Sequence, residues 1–376
     1  MQVLMKPETS LYVDAIRIAA VLLVFINHAK RTAFTDGFLD RFGVYGQEAV
    51  AMFFVLSGLV VSHVTLTRPG SLRGYAVARL ARLWSVVLPA VVLTVVLDCI
   101  GAALDPELYR TAQVPGWGFD LASVWQALSP ALFLNAVPPL DADVGSNGPF
   151  WSLSYEAWYY AGFGLAVFLA GWRRILALCL VVVLAGPNIR MLAPLWLLGV
   201  VVQRGLGKGG PSHAAWAGWI GSLVGMLVLL GLKYRLMPLV DLVVPHLPVA
   251  GMTSDVIIEK YGAAILIAIN IVCFDRVAGR FASLARVLER PVRAIASRSF
   301  SIYLYQAPLL FFLASVSQDV TSRGVRIAIF YGGTLAICVL LAEFTEQRKH
   351  VLSRWLHALL GSRFGGGAGV APPLKP

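Results

Sequence analysis

Arg17 and His28 stand eleven residues apart in an otherwise apolar stretch, RIAAVLLVFINH. On a helix at 100° per residue, eleven steps turn about 1100°, within roughly 20° of three full turns. The two side chains therefore share one helix face, about 16 Å apart along the axis. Asp14 lies three residues before Arg17 on the same side and can pair with it. An ionisable group inside a membrane-length segment is costly, which makes it a candidate for function. An imidazole can act as a base near neutral pH. Plainer uses stand beside these. Arg17 could snorkel to the interface beside Asp14, and His28 could be an interfacial histidine bonded to a backbone carbonyl.

Other polar groups interrupt other apolar stretches. GQEAVAMFFVLSGLVVSHV (46–64) carries Glu48, Ser57, Ser62 and His63. Its Ser57-Gly58 pair lets a neighbouring helix or a ligand come close, and helix packing is the simpler use. RLARLW (79–84) puts Arg79 and Arg82 at i and i+3 on one face, a pair suited to phosphate or to an anionic lipid headgroup. In GPFWSLSYEAWYY (148–160), Trp151, Trp158, Tyr159 and Tyr160 suit an interfacial aromatic belt, but Glu156 does not. That carboxylate needs an Arg or His partner from another helix. Asp98 is a further acid inside a span, without an evident partner. SRSFSIYLYQAPLLFF (297–312) offers a polar strip of Ser299, Ser301, Tyr303, Tyr305 and Gln306, suited to hydrogen bonds between helices. Taken on chemistry alone, these groups allow a transferase or a transporter.

The elements that carry them are membrane helices. Only 14% of the 376 residues are charged and 58% are hydrophobic, whereas soluble domains carry about 25% charged residues. Apolar runs of the ~20 residues that a crossing needs recur along the chain. They predict spans at about 11–30, 46–66, 84–104, 150–170, 174–189, 191–204, 214–233, 256–274, 299–317 and 326–345. A weaker apolar piece at 121–136 suits a re-entrant or interfacial helix. The expected fold is an all-α polytopic bundle of about ten transmembrane helices, with no soluble domain. Residues 1–348 form this domain, and 349–376 form a tail ending in the low-complexity GGGAGVAPPLKP, expected to be disordered.

The net charge of +11 does not imply nucleic-acid binding. Its Lys and Arg residues concentrate in 67–83, 275–298 and the tail, while Asp105, Glu107, Asp120, Asp141, Asp143, Asp241 and Asp255 fall in the alternate loops. The positive-inside rule then puts both termini in the cytoplasm. The first span, followed by Lys30-Arg31 and lacking a clean cleavage site, reads as a retained helix and not as a signal peptide. Cys99, Cys179, Cys273 and Cys338 lie far apart in apolar runs and read as buried small residues. No metal-ligand spacing occurs, and RGLGKGG (204–210) lacks the spacing of a phosphate loop. No internal repeat is visible, which weighs against the inverted-repeat architecture common among transporters.

Five stretches, in order, resemble motifs of the acyltransferase-3 family of bacterial integral membrane O-acyltransferases. DAIRIAAVLLVFINH (14–28) is similar to its Arg–ten residues–His first helix, FFVLSG (53–58) to its second-helix signature, and RLARLW (79–84) to its paired arginines. WSLSYEAWYY (151–160) and SFSIYLYQAP (299–308) resemble its W-S-L-S-x-E and S-x-S-x-Y-L-x-H-x-P patterns. Gln306 replaces the histidine of the last pattern, so a titratable group is missing there while a hydrogen-bonding role remains.

The resemblance implies a polytopic enzyme of the bacterial cytoplasmic (inner) membrane that binds no cofactor. Its partners would be an acyl-CoA donor, with acetyl-CoA the expected one, a glycan or glycolipid acceptor, and membrane lipid. It implies His28 as the base toward an acceptor hydroxyl, Arg79 and Arg82 as holders of the anionic CoA, and Arg17, aided by Asp14, as a group that steadies the donor. Glu156 would orient His28 or another polar partner. Ser57, Trp151, Ser154, Tyr303 and Gln306, from the matched motifs, complete the expected substrate-binding set. The competing expectation is a transporter or acyl-group translocator in which Arg17, His28 and Glu156 contact substrate or relay protons.

Overall fold

The computed structural model describes residues 5–67, 70–244 and 252–361. Among the described residues there is no strand. The helices are α1 (Pro7–Ala29), the short α2 (Thr32–Thr35) and α3 (Asp40–Gly43), α4 (Gly46–Thr67), α5 (Leu72–Leu104), α6 (Pro106–Thr111), α7 (Leu121–Ala131), α8 (Phe150–Phe168), α9 (Gly171–Leu184), α10 (Gly186–Gly205) and α11 (His213–Asp241). A π-helical stretch, Val256–Gly262, leads into α12 (Ala263–Val277), followed by α13 (Ala282–Ala296), α14 (Ser299–Val316) and α15 (Arg323–Ile327). A second π-helical stretch, Ala328–Gly333, precedes α16 (Thr334–Phe344), and α17 (Lys349–Gly361) closes the described chain.

The ten expected spans fall on helical residues, with 174–189 running across the break at Ala185 from α9 into α10. Among the described residues, seven helical segments are long and apolar enough to cross a membrane. Of the rest, α9 has only 14 residues, and α8 and α10 carry polar or charged side chains along their length. The protein is an all-α, polytopic membrane protein.

Three boundaries differ from the hydropathy reading. α5 begins at Leu72 instead of 84, with the Ser71 hydroxyl accepting from the Gly74 amide at 3.1 Å. It runs for 33 residues, about 50 Å, against a hydrocarbon core of about 30 Å. Arg79 and Arg82 therefore lie two to three turns inside a helix and not at its first residues. The expected loop 275–298 is largely the amphipathic α13, and the expected tail begins with α17. α17 packs Leu356 against Val77 and Ala81 of α5. The expectation of a disordered tail from 349 is thus corrected over Lys349–Gly361, while residues 362–376 lie outside the described residues.

Close helix approach sets the frame for the polar groups. α4 and α10 cross at Gly58 and Gly199. A Cβ on Gly58 would strike the Trp196 carbonyl, and one on Gly199 would lie 2.6 Å from the Leu59 nitrogen. Such small residues are what lets membrane helices pack backbone to backbone. The α1 N-terminal half is tied to α13 by Asp14, which accepts from Arg17 (2.7 Å) and Arg293 (2.5 Å). Glu346 accepts from the amide and the hydroxyl of Ser301, both at 2.9 Å, which satisfies a free N–H in the first turn of α14.

Asp98 proves to be well partnered. It accepts from the Ser146 amide (2.8 Å) and hydroxyl (2.5 Å) and from Trp117 Nε1 (3.2 Å), pinning the 105–149 segment over the end of α5. Within that segment α7 is capped by Asp120, which accepts from the Ser123 amide at 2.7 Å. Trp84 Nε1 donates to the Ala131 carbonyl at 2.9 Å, so α7 docks on α5. The four cysteines are free, and Cys99 and Cys179 are exposed instead of buried as expected, since their helix faces point away from the bundle.

Candidate active site

A cavity of about 90 Å³ opens between α1, α4, α5, α8 and α14. Its lining includes Arg17, Ser57, Arg79, Arg82, Glu156 and Tyr303. Six of the eleven residues expected to catalyse or bind substrate thus meet around one space. The space is narrow, which suits a thin chain or a phosphate-sized group.

Three guanidiniums face one carboxylate here. Arg17 is held by Asp14. Arg79 lies over the rings of Tyr75 and Tyr160, each centroid 5.8 Å from its Cζ, and its buried Nε has no hydrogen-bond partner. Arg82 lies in electrostatic reach of Tyr160, Glu346 and Glu156. On the lining itself the guanidiniums outnumber the carboxylate, with Asp14 and Glu346 behind them offsetting part of that charge, and an anion would be drawn to the guanidinium face.

Glu156 is engaged on the cavity side. Its Oε1 accepts from Ser57 Oγ at 2.5 Å and from the Tyr160 hydroxyl. Trp196 Nε1 donates in turn to Ser57 Oγ at 3.2 Å. The partners of Glu156 are thus two hydroxyls, with Arg82 nearby, and not His28.

His28 lies further along α1, outside the cavity lining. Its Nδ1 is 3.4 Å from Gln306 Nε2, which also donates to the Tyr303 carbonyl at 3.1 Å. Tyr303 lines the cavity and shares a 2.7 Å hydroxyl–hydroxyl hydrogen bond with Ser152. The Tyr303–Gln306 turn of α14 therefore leads from the arginine-lined space to the imidazole. Gln306 Oε1 and Asn147 Oδ1 are both buried without a hydrogen-bond partner. Asn147, in the segment before α8, packs against the same helix, its Nδ2 donating to the Leu304 carbonyl at 2.9 Å.

Two expected residues lie elsewhere. Ser154 is buried and donates to Asn135 at 2.6 Å, a bond between α8 and the segment before it. Trp151 packs edge-on against Phe54 and Tyr155, outside the lining. Tyr159 and Tyr160 are not an interfacial belt: both are buried, and Tyr159 donates to the Ile189 carbonyl at 2.8 Å.

Sequence reading took Tyr160 for a belt residue and gave Trp196, Arg293 and Glu346 no role at the site. Tyr160 had a usable signal, its i+4 spacing from Glu156. The other three act from elements far along the chain and have none. Among the described residues no group of three or more His, Cys, Asp or Glu is gathered as a metal site would need.

Comparison with known proteins adds the family. The acyltransferase-3 family model, described as an acyltransferase domain, matches residues 10–343. No curated protein and no solved structure matches the chain. The match covers nearly the whole helical bundle, including every residue that lines the arginine-rich cavity. The chain belongs to the acyltransferase-3 family and is, at that level, a membrane acyltransferase.

Proposed function

We propose that the protein moves an acyl group, acetyl being the expected one, from acyl-CoA to a hydroxyl of a glycan or glycolipid. The observation that carries this reading is the convergence of Arg17, Arg79 and Arg82 on one cavity, whose Tyr303 wall leads through Gln306 to His28. An anionic donor and a base are the two things O-acylation needs. The charge asymmetry of the loops supports a bacterial inner-membrane topology with both termini cytoplasmic and the arginine end of the cavity on that side.

In this reading the CoA phosphates pair with Arg79 and Arg82, where guanidinium geometry favours phosphate oxygens. Arg17, kept in place by Asp14, steadies the donor as its pantetheine arm passes inward. The arm must cover roughly the 16 Å from Arg17 to His28. Neutral His28 takes the proton of the acceptor hydroxyl while that oxygen bonds to the thioester carbon. The C–S bond breaks, and the proton passes from the imidazolium to the departing sulfur. Glu156, Ser57 and Tyr160 act as a positioning set for Arg82.

The test is acyl-CoA supplied to the purified protein in vesicles. CoA release that depends on a glycan acceptor supports the enzyme. Uptake of the acyl group without acceptor-dependent thioester cleavage would replace it with a translocator.

A further inference from the structure

A second, larger hollow of about 460 Å³ lies between α5 and α8, on the other side of Arg79 and Tyr160 from the arginine cavity. It exists because small residues face each other there. Ala76 on α5 stands opposite Ala157, Ala161 and Gly164 on α8, and Leu132 and Phe133 close one end. A Cβ on Gly164 would overlap the Tyr75 ring, so the glycine is what lets that ring fold into the wall. Ala161 and Leu132 are exposed, which makes the hollow a slot open to the outside of the bundle.

The polar content of this slot is specific. The Tyr75 hydroxyl is spent on the Tyr160 carbonyl at 2.9 Å, and the Tyr160 hydroxyl on Glu156. Trp158 Nε1 donates to the Phe133 carbonyl at 3.2 Å. Arg79 alone on these walls keeps a buried nitrogen without a partner. The slot thus offers hydrocarbon walls and a single cation. A nucleotide, with many polar atoms, would leave most of them unpaired there, at a high cost for each. An amphiphile with one anionic group and an alkyl chain leaves none.

Leu72 to Leu83 extends about 16 Å along α5, with Arg79 about 6 Å from its Leu83 end, so apolar wall continues along the helix to both sides of the guanidinium. We propose that the slot is a lateral lipid site that takes one chain of an anionic phospholipid, with the lipid phosphate on Arg79. Arg79 then faces two ligands, the lipid on one side and the anionic contents of the arginine cavity on the other. This site does not depend on acyl transfer.

Trp158 lines the slot and serves as the reporter. The protein is placed in phosphatidylcholine nanodiscs containing, as a minor component, either chain-brominated phosphatidylglycerol or chain-brominated phosphatidylcholine. The Trp158 contribution is the difference in quenching between wild type and Trp158→Phe. Brominated phosphatidylglycerol should show about fivefold stronger apparent binding, the gain expected from one arginine near an anionic headgroup. Arg79→Gln should remove the preference, Arg79→Lys should keep most of it, and Ala161→Phe, which fills the slot, should lower quenching by phosphatidylglycerol to the bulk level. Equal quenching by both lipids would mean ordinary contact with bulk lipid and would overturn the proposal. So would a preference that survives both Arg79→Gln and Ala161→Phe. Acceptor-dependent CoA release measured on the same samples bears on the enzyme reading alone.

Discussion

Ser57 and Glu156 are joined by a 2.5 Å hydrogen bond across α4 and α8, with Tyr160 donating to the same carboxylate oxygen. One buried-side oxygen thus orders two hydroxyls beside Arg82. Removing it with Glu156→Ala strands both hydroxyls and leaves Arg82 with one fewer anion. A hydrogen bond to a charged group is worth about 1.5–3 kcal/mol, so the variant should unfold at a clearly lower temperature in detergent. Glu156→Gln keeps an acceptor oxygen and should recover much of that stability. Identical melting of both variants and wild type would show that the carboxylate organises nothing.

His28→Ala and His28→Gln should leave the protein inserted and folded, since neither touches the helix crossings. General-base catalysis contributes about 10²–10⁴-fold, and transfer to a glycan should fall by that order in both. Gln306 Nε2 approaches the imidazole Nδ1 at 3.4 Å, and the Val24 backbone also bonds the ring. Gln306→Met removes that amide while keeping bulk. It should lower kcat with donor KM nearly unchanged, and Gln306→His should restore part of the loss. Wild-type turnover in the His28 variants, measured by radiolabelled acyl incorporation, would end the proposed mechanism.

Arg82→Ala should act mainly on donor binding, because Arg82 lines the cavity within electrostatic reach of Arg17, whereas His28 lies outside the lining. Losing one charged hydrogen bond predicts a rise in donor KM of roughly tenfold or more. Arg82→Lys should restore only part of it, since an ammonium lacks the planar fork that grips two phosphate oxygens. An unchanged KM with a lowered kcat would move Arg82 from donor binding to chemistry.

What the sequence discloses follows from what hydropathy measures. Apolar runs report the part of a helix that meets hydrocarbon, so all ten expected spans fall on helical residues. The charged first turns of α5 and the whole of α13 were read as loops because charge lowers hydropathy without lowering helix propensity. Arg79 and Arg82 were legible as a pair, since i and i+3 positions share a face on any helix. That they share a cavity with Arg17 and Glu156 was not legible, because three helices must pack before those side chains meet. Gln306 meets His28 across 278 residues of chain, and no single-sequence spacing encodes such a contact. The Gly58–Gly199 crossing was half visible: Ser57-Gly58 marked a close approach, but nothing in the sequence named α10 as its partner.

That crossing gives a packing prediction. Gly199→Ala places a methyl on the Val55 and Leu59 backbone, atoms that cannot swing aside as a flexible side chain could. Overpacking of this kind costs about 1–3 kcal/mol. It should also push Trp196 away from Ser57 Oγ, its 3.2 Å partner. The variant should melt lower and show a raised donor KM together, whereas Gly231→Ala on α11, where an added Cβ meets nothing within 4 Å, should change neither.

The strongest stability effect should come from Lys233. Its ammonium is 1% exposed and donates to Glu48 (2.9 Å), Glu259 (2.8 Å) and the Val44 carbonyl (2.8 Å). It links α11 to the start of α4 and to the π-helical turn before α12. Lys233→Met leaves two buried carboxylates facing each other without a cation. Breaking a buried ion pair from one side costs about 3–5 kcal/mol, enough to abolish a sharp melting transition in a marginal membrane protein. The triple change Lys233→Met, Glu48→Gln, Glu259→Gln removes the uncompensated charge and should recover most of the loss. If the triple variant melts no higher than Lys233→Met, the lysine contributes through its packing against Tyr45 and Tyr234 and not through its charge.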